Sequence, residues 1–312
     1  MHAPRTRSVT TRPTVSPVDL DYLRANPHLL PTFIEHQRIR FTPVSSGPTG
    51  VAQRLTFDDG NDVFAKLSED GPFGIIEAEA RSLEWLAEAG APVPRLWCST
   101  DTLLVTDWLP PAEPTVDAAV ELGRRLALMH RAGAERYGAP WDGFIGALPL
   151  DNSPVDGRQS AEPDDWAEWF VLRRLEPYLK LSRDNGALDT TDAFRVGAAA
   201  GRIRLNASPP ESIARLHGDL WPGNLHWSTD RCWLIDPAAH GGHRESDLAQ
   251  LFLFGGAPHL DLIVTGYQEV WPLADGWRDR IPMHQLHLLL VHTALFGSGY
   301  RGQVMAAVDA IL

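Results

Sequence analysis

The sequence predicts an α+β protein of two lobes, a small antiparallel β-sheet lobe carrying one helix and a larger, mainly helical lobe. Three observations predict it. Residues 38–67 have β texture interrupted by Gly- and Asn-containing turns, and a single helix-periodic stretch follows at 74–89. Leu109-Pro110-Pro111 then separates this part from a remainder dominated by helical periodicity. The expected division is a tail over 1–17, a first lobe over 18–108 and a second over 109–312. A chain of 312 residues has room for both cores.

Residues 1–17 carry three prolines, three arginines and no acid, which reads as a flexible tail. A short helix is expected from Pro17 to about Asn26, with Ser16 as its cap. An extended piece should end at Val44, followed by the turn Ser45–Gly50 and a strand from Val51 to Phe57. A third strand, Val63 to Leu67, closes the meander after Asp58-Asp59-Gly60-Asn61. In the helix over 74–89, Ile76, Ala80, Leu83 and Ala87 form the apolar stripe, and Gly90, Pro92 and Pro94 stop it. Strands near 95–98 and 102–106 complete the lobe. Helices are expected at 116–131, 164–182, 189–204, 246–254, 259–270, 281–296 and 301–311. One hairpin, 225–227 with 232–235, lies among them.

Composition excludes several classes. A net charge of −12 argues against a nucleic-acid partner, whose phosphates need a concentrated basic face. No apolar stretch approaches the ~20 residues of a membrane span, and the N-terminus lacks an apolar core segment, so a cytoplasmic chain is expected. Cys98 and Cys232 make neither a disulfide framework nor a metal site. Among 28 basic residues only Lys66 and Lys180 are lysine, which singles out each of them.

The strongest chemical signal is His217-Gly218-Asp219-Leu220-Trp221-Pro222-Gly223-Asn224, followed by Leu234-Ile235-Asp236. An Asp with an Asn five residues later has the spacing of a kinase catalytic loop. One carboxylate, Asp219, takes a proton from an attacking hydroxyl. Asn224 and Asp236 offer the hard oxygens that Mg²⁺ prefers. Each residue alone could be ordinary turn chemistry, but the ordered set with a hairpin inside it is hard to obtain by chance. Lys66 lies in a strand, where a solvated edge charge would be unremarkable. Glu79, however, lies on the inner face of the next helix, and an inward carboxylate needs a cation. Lys66 is the candidate, held by Glu79 for ATP phosphates. Ser46 and Gly47 lie in the turn that would cover those phosphates, and Asp107, Trp108 and Leu109 occupy either the connection that would meet adenine or an ordinary linker. No Walker A sequence is present. Asp247 opens a helix, either for its dipole or as a brace for the catalytic loop. His217 reads as packed structure, and His284, His287 and His292 as ordinary helix residues. Trp221 must border the cleft. Eleven residues from Asp236 to Asp247 leave no room for a peptide-cradling segment, which favours a small-molecule acceptor.

At these residues the chain resembles the fructosamine/ketosamine-3-kinase family, relatives of aminoglycoside and choline kinases with a protein-kinase-like fold. His217–Asn224 differs from the family hallmark only by Pro222 in place of serine. Ile235-Asp236-Pro237-Ala238 and Gly242-His243-Arg244-Glu245-Ser246-Asp247-Leu248-Ala249 continue the match, as do Phe144-Ile145-Gly146, Phe254-Gly255-Gly256 and Phe296-Gly297-Ser298-Gly299-Tyr300. The resemblance implies an ATP- and Mg²⁺-dependent kinase acting on the C3 hydroxyl of ketosamines, free or lysine-linked, and so initiating deglycation. It implies Asp219 as proton acceptor, Lys66 on phosphate, and Trp221 stacked on the sugar, with Glu245 and Tyr300 also at the acceptor. His217 and Asp247 would support the loop, and a monomer is expected. His240-Gly241 replaces an aromatic pair usual in the family, and the glycine-rich turn has no cysteine. The alternatives are an aminoglycoside- or choline-type kinase on the same fold, or a nucleotide-binding pseudokinase scaffold.

Overall fold

The computed structural model describes residues 25–29, 40–47, 50–57, 60–155, 166–205 and 209–312. The tail over 1–17 and almost all of the helix expected at 17–26 lie outside the described residues. β1 (Arg40–Gly47), β2 (Gly50–Thr56), β3 (Asp62–Leu67), α1 (Ile75–Glu88), β4 (Leu96–Ser99) and β5 (Leu103–Asp107) make up the first part. The strands form one antiparallel sheet in the order β1-β2-β3-β5-β4. β1 runs on past Val44, so that Ser46 pairs with Val51 and Gly47 with Gly50. Pro43, which has no N–H to donate, sits at a register shift in this edge strand. One face of the sheet buries Leu55, Phe57, Val63, Ala65, Cys98 and Val105 as its own small core.

Lys66 projects from the other face, towards α1. The buried stripe of α1 is Ile76, Ala80, Leu83 and Leu86; Ala87, expected in it, is exposed. Leu83 to Leu86 is a three-residue step that stays on the inner face, whereas Ala87 has already rotated off it.

The second part contains α2 (Val116–Arg131), β6 (Gly143–Ile145), β7 (Leu148–Leu150), α3 (166–184), α4 (Thr190–Leu205), β8 (Ala214–Leu216), β9 (Leu225–Trp227) and β10 (Cys232–Leu234). β11 (His240–Gly242), α5 (Glu245–Gln250), α6 (Leu260–Val270), α7 (Trp277–Phe296) and α8 (Arg301–Ile311) complete it. Thr115 caps α2, its Oγ1 accepting from the Ala118 N–H at 3.2 Å. Val171–Leu175 is a π-helical segment inside α3. A single hairpin was expected here, and the structure adds two more strand pairs, β6–β7 and β8–β11. Three-residue strands carry no readable period, which is why sequence pattern does not disclose them. The β8–β11 pair matters most. Leu216 pairs with His240, so both ends of the segment 217–239 are clamped together.

α2 and α6 approach at glycines. A Cβ on Gly123 would fall 1.9 Å from the Ile263 carbonyl oxygen, and one on Gly266 would fall 2.1 Å from that of Val120. This contact brings His130 of α2 against Tyr267 of α6. A buried cluster joins Ile76, Leu83 and Leu86 of α1 to Leu122 and Leu126 of α2 and to Leu220 and Leu225 of the segment 217–239. The helix carrying Glu79 is thereby packed directly onto the elements carrying Asp219. Among the described residues no helix is long and apolar enough to cross a membrane. Both cysteines are free and buried, and burial pushes both thiols up, that of Cys98 to about 11.

Candidate active site

The loop 217–224 is held from beneath by Asp247, the third residue of α5. Its Oδ2 accepts from the His217 N–H at 2.7 Å and its Oδ1 from the Gly218 N–H at 2.9 Å. His130 Nε2 lies 3.1 Å from Oδ2, and His130 Nδ1 lies 2.8 Å from the Tyr267 hydroxyl. The Asp247 side chain has no solvent exposure. Burial opposes its charge, yet the bond from His130, the nearby His217 and the Gly218 N–H outweigh that and hold the carboxyl below its ordinary range. Of the two readings of Asp247, the brace is what the geometry shows. Gly218 has φ 85°, and a Cβ there would meet the Ala238 carbonyl oxygen at 2.1 Å. His217 is fully buried, its Nε2 3.0 Å from the Ile235 carbonyl oxygen, as expected of a packed histidine.

Asp219 follows this rigid turn. The Asn224 amide donates to its backbone oxygen at 2.7 Å and to Oδ2 at 3.0 Å. Oδ1 has no hydrogen-bond partner, and Asp219 lines the cleft. Burial pushes this carboxyl up to about 7, with the Asn224 bond opposing. The β9–β10 register places Leu225 opposite Leu234, so Asn224 and Asp236 leave the same end of the hairpin. The Ile235 N–H bonds the Asn224 carbonyl at 3.1 Å and keeps them adjacent. Asp236 has φ 52°, an uncommon backbone for a non-glycine residue, and its side chain is 48% exposed.

Lys66 and Glu79 meet, with Nζ 2.8 Å from Oε2, and Nζ also lies 2.8 Å from Asp236 Oδ1. Burial opposes the ammonium, but the two carboxylates prevail and raise its pKa. The other lysine, Lys180, makes an exposed pair with Asp184. A double-mutant cycle on Lys66→Met and Glu79→Gln should show a coupling of about 1–3 kcal/mol in urea unfolding, because Lys66→Met strands the buried Glu79 carboxylate, while Glu79→Gln leaves Lys66 to Asp236 alone. Additive losses would show that Glu79 does not hold the lysine.

These residues open into a cavity of about 720 Å³. Its far wall is aromatic: Trp221, Phe254, His292, Phe296 and Tyr300. Trp221 meets Phe254 edge-on at 5.7 Å, and His292 lies 4.9 Å from Tyr300. His292 was expected to be an ordinary helix residue and instead faces the cleft. The signal was its i, i+4 spacing from Phe296 on α7. Trp141 and Phe144 close the opposite side.

Glu245 corrects an expectation. It does not line the cleft; it is 2% exposed and bound by both arms of Arg280, at 2.6 and 2.8 Å. Residues two apart on a helix point in nearly opposite directions, so while Asp247 faces the catalytic loop Glu245 faces α7. Ligand atoms of His243, Glu245 and His284 lie within 4.8 Å of one another, but the Arg280 guanidinium already supplies the cation there. His240 is likewise buried outside the cleft, with Nδ1 2.8 Å from the Ala238 carbonyl. The Asp107 carboxylate turns away to Trp97 Nε1 at 2.8 Å, and the Leu109 carbonyl accepts from His226 Nε2 at 2.8 Å. Trp108 lies under Arg54, 5.2 Å from ring centre to guanidinium carbon. Ser46 and Gly47 lie in β1 ahead of the turn, while Pro48 and Thr49 lie outside the described residues.

The sequence model of the fructosamine kinase family matches residues 32–312. The chain belongs to that family. It is a phosphotransferase, and the family implies use of ATP, typically with a divalent metal. A fructosamine kinase relative from Thermobifida fusca, provisionally named a fructosamine-3-kinase, has a crystal structure that superposes with a TM-score of 0.81 at 43% identity. The match covers 88% of this chain and 94% of that one. A probable ketoamine kinase of Thermus thermophilus is 34% identical over 245 residues, covering 78% of this chain and 86% of its own. Choline kinase from Cryptosporidium parvum, at 12% identity and a TM-score of 0.56 over 94% of this chain and 93% of its own, shares the fold. That fold is the bilobal protein-kinase-like one.

The oxygens of this fructosamine kinase site suit a hard divalent cation. The Asn224 amide nitrogen is committed to Asp219, which turns its carbonyl oxygen the other way. The Asp236 carboxylate is half open to the cleft and held below its ordinary range; burial opposes this, and Lys66 outweighs it.

Proposed function

We propose that the chain transfers the γ-phosphoryl group of ATP to the C3 hydroxyl of ketosamines, the adducts of an amine with a 1-deoxyketose. The observation that carries this reading is the Asp219 carboxylate, with one oxygen fixed by Asn224 and the other unpartnered, at the junction of the Lys66–Asp236 end and the aromatic wall. Lys66, oriented by Glu79, neutralises phosphate charge. Asn224 and Asp236 would hold Mg²⁺, which when bound offsets further charge on the phosphates. Asp219 accepts the hydroxyl proton as the oxygen bonds to phosphorus and ADP departs. Trp221 offers a flat apolar face to the sugar, and Tyr300 a hydroxyl. The Asp107–Leu109 connection and the end of β1 at Ser46 and Gly47 take the nucleotide. Phosphate on C3 stands beside the C2 carbonyl, so enolisation towards C1 lets it leave, and hydrolysis of the residue frees the amine. The setting proposed is cytoplasmic, where glycated amines would be repaired.

The test is incubation with Mg·ATP and ribulose-lysine, fructose-lysine, kanamycin or choline, with product followed by mass spectrometry and Asp219→Asn as control. Phosphorylated ketosamine with the wild type alone is the expected result. Transfer to kanamycin or choline, with none to either ketosamine, would overturn the substrate. ATP binding without transfer to any acceptor would overturn the enzyme.

A further inference from the structure

A second cavity, of about 580 Å³, opens beside the catalytic one and shares Ala78, Trp141 and Phe144 with it as common wall. Its sides are the outer face of α1, the segment 136–142 and the loop 151–154. Nothing in the phosphoryl-transfer chemistry uses it. The loop is firmly built. Buried Arg174 donates to the Asp151 carbonyl at 2.6 Å and to Asn152 Oδ1 at 2.7 Å, and Asn152 Nδ2 reaches the Trp141 carbonyl at 3.3 Å.

The charges facing this cavity divide into two kinds. Glu77 pairs with Arg81, and Asp151 with Arg173. Arg136 makes one bond, to the Ala139 carbonyl at 3.1 Å, and among the described residues it meets no carboxylate. Asp142, on the same cavity, meets no cation among the described residues, Arg136 included. One uncommitted cation and one uncommitted anion thus face a single hollow without joining each other. That arrangement complements a ligand carrying both signs a short distance apart.

We propose that this cavity binds the amine half of the acceptor, and that Arg136 and Asp142 receive the α-carboxylate and α-ammonium of a free glycated amino acid such as lysine. The inference rests on the ketosamine reading above. With the sugar at Asp219, the aliphatic chain of the amine runs across the Trp141–Phe144 wall, an apolar surface suited to methylenes, and delivers its charged end to the second cavity.

The experiment compares fructose adducts of three amines joined through the same chain: lysine through Nε, butylamine, which lacks the α-groups, and Nα-acetyl-lysine amide, in which both are neutralised. For the wild type kcat/KM should be about tenfold or more higher for lysine than for the other two, the worth of a charged hydrogen bond or two. Arg136→Met and Asp142→Asn should each remove most of that preference while leaving the butylamine adduct within about twofold of wild type. Equal kcat/KM for all three adducts would overturn the proposal. So would variants that lose activity on lysine and butylamine adducts alike while keeping the wild-type melting temperature. Failure to phosphorylate any ketosamine would instead overturn the functional reading, so the two failures are distinguishable.

Discussion

Asp219→Asn is expected to lower kcat by about 10²–10⁴-fold and at the same time to make the nucleotide-free protein more stable at pH 8. Both effects come from the same burial. The folded carboxyl titrates near 7, whereas the unfolded one titrates near 4. Asp219 therefore contributes stability below about pH 4, and that contribution is lost as pH rises through 7, where the folded chain must hold a buried charge. The span from 4 to 7 corresponds to about 4 kcal/mol at most, and relaxation of the site brings the expected gain to about 1–3 kcal/mol. Thermal unfolding of both proteins at pH 8 and pH 4 checks this: the mutant should melt higher at pH 8 and equally at pH 4. For the wild type, kcat/KM should rise with pH towards a plateau above about 7, since the ionised form accepts the proton. A folded mutant with unchanged turnover would remove Asp219 from the chemistry. An equal melting temperature at pH 8 would show that the carboxylate is not strained by its surroundings.

Asp247→Ala should be damaging in both respects. It strands the N–H groups of His217 and Gly218 and the ring of His130 in a site without water access, each at about 1–3 kcal/mol. A total loss of about 3–5 kcal/mol is expected in denaturant unfolding. Because the loop so released carries Asp219 one residue further on, kcat should fall about 10²-fold or more in whatever fraction remains folded. The KM for ATP should move far less, because Lys66 and the Asp107–Leu109 connection are anchored elsewhere. A folded variant with wild-type kcat would show that β8–β11 pairing alone holds the loop. Asp247→Asn keeps the shape but offers only one acceptor oxygen, and should fall between the two.

Much of this site was legible in the chain because its logic is local. Asp219, Asn224 and Asp236 are brought together by one loop and one hairpin, and the hairpin's length alone dictates that its two ends meet. Lys66 and Glu79 were legible for a different reason: strand alternation and helix periodicity each assigned them to an inward face, and opposite charges turned inward must pair. The aromatic wall was legible only in part: Trp221 was expected at the cleft and Tyr300 was placed there by resemblance, but Phe254, His292 and Phe296 were not. Trp221, Phe254, His292 and Tyr300 come from four stretches whose meeting depends on how α7 packs, and a histidine on an apolar helix looks the same in sequence whether it faces core or cleft. Glu245 was misplaced because a motif records nearness along the chain, while the helix sends its residues two apart to opposite sides.

The sequence by itself determined the α+β order of elements and singled out Lys66, Glu79, Asp219, Asn224 and Asp236 as the candidate site, since these follow from periodicity, short-range spacing and charge. Only the tertiary structure decided which groups are buried against which. The β8–β11 clamp, the Asp247–His130–Tyr267 brace, the turn of Glu245 into Arg280 and the pairing of two cavities across Trp141 and Phe144 join segments distant along the chain. Such contacts are selected by the packing of whole helices, and that packing depends on shape complementarity over many residues at once, which no local pattern encodes.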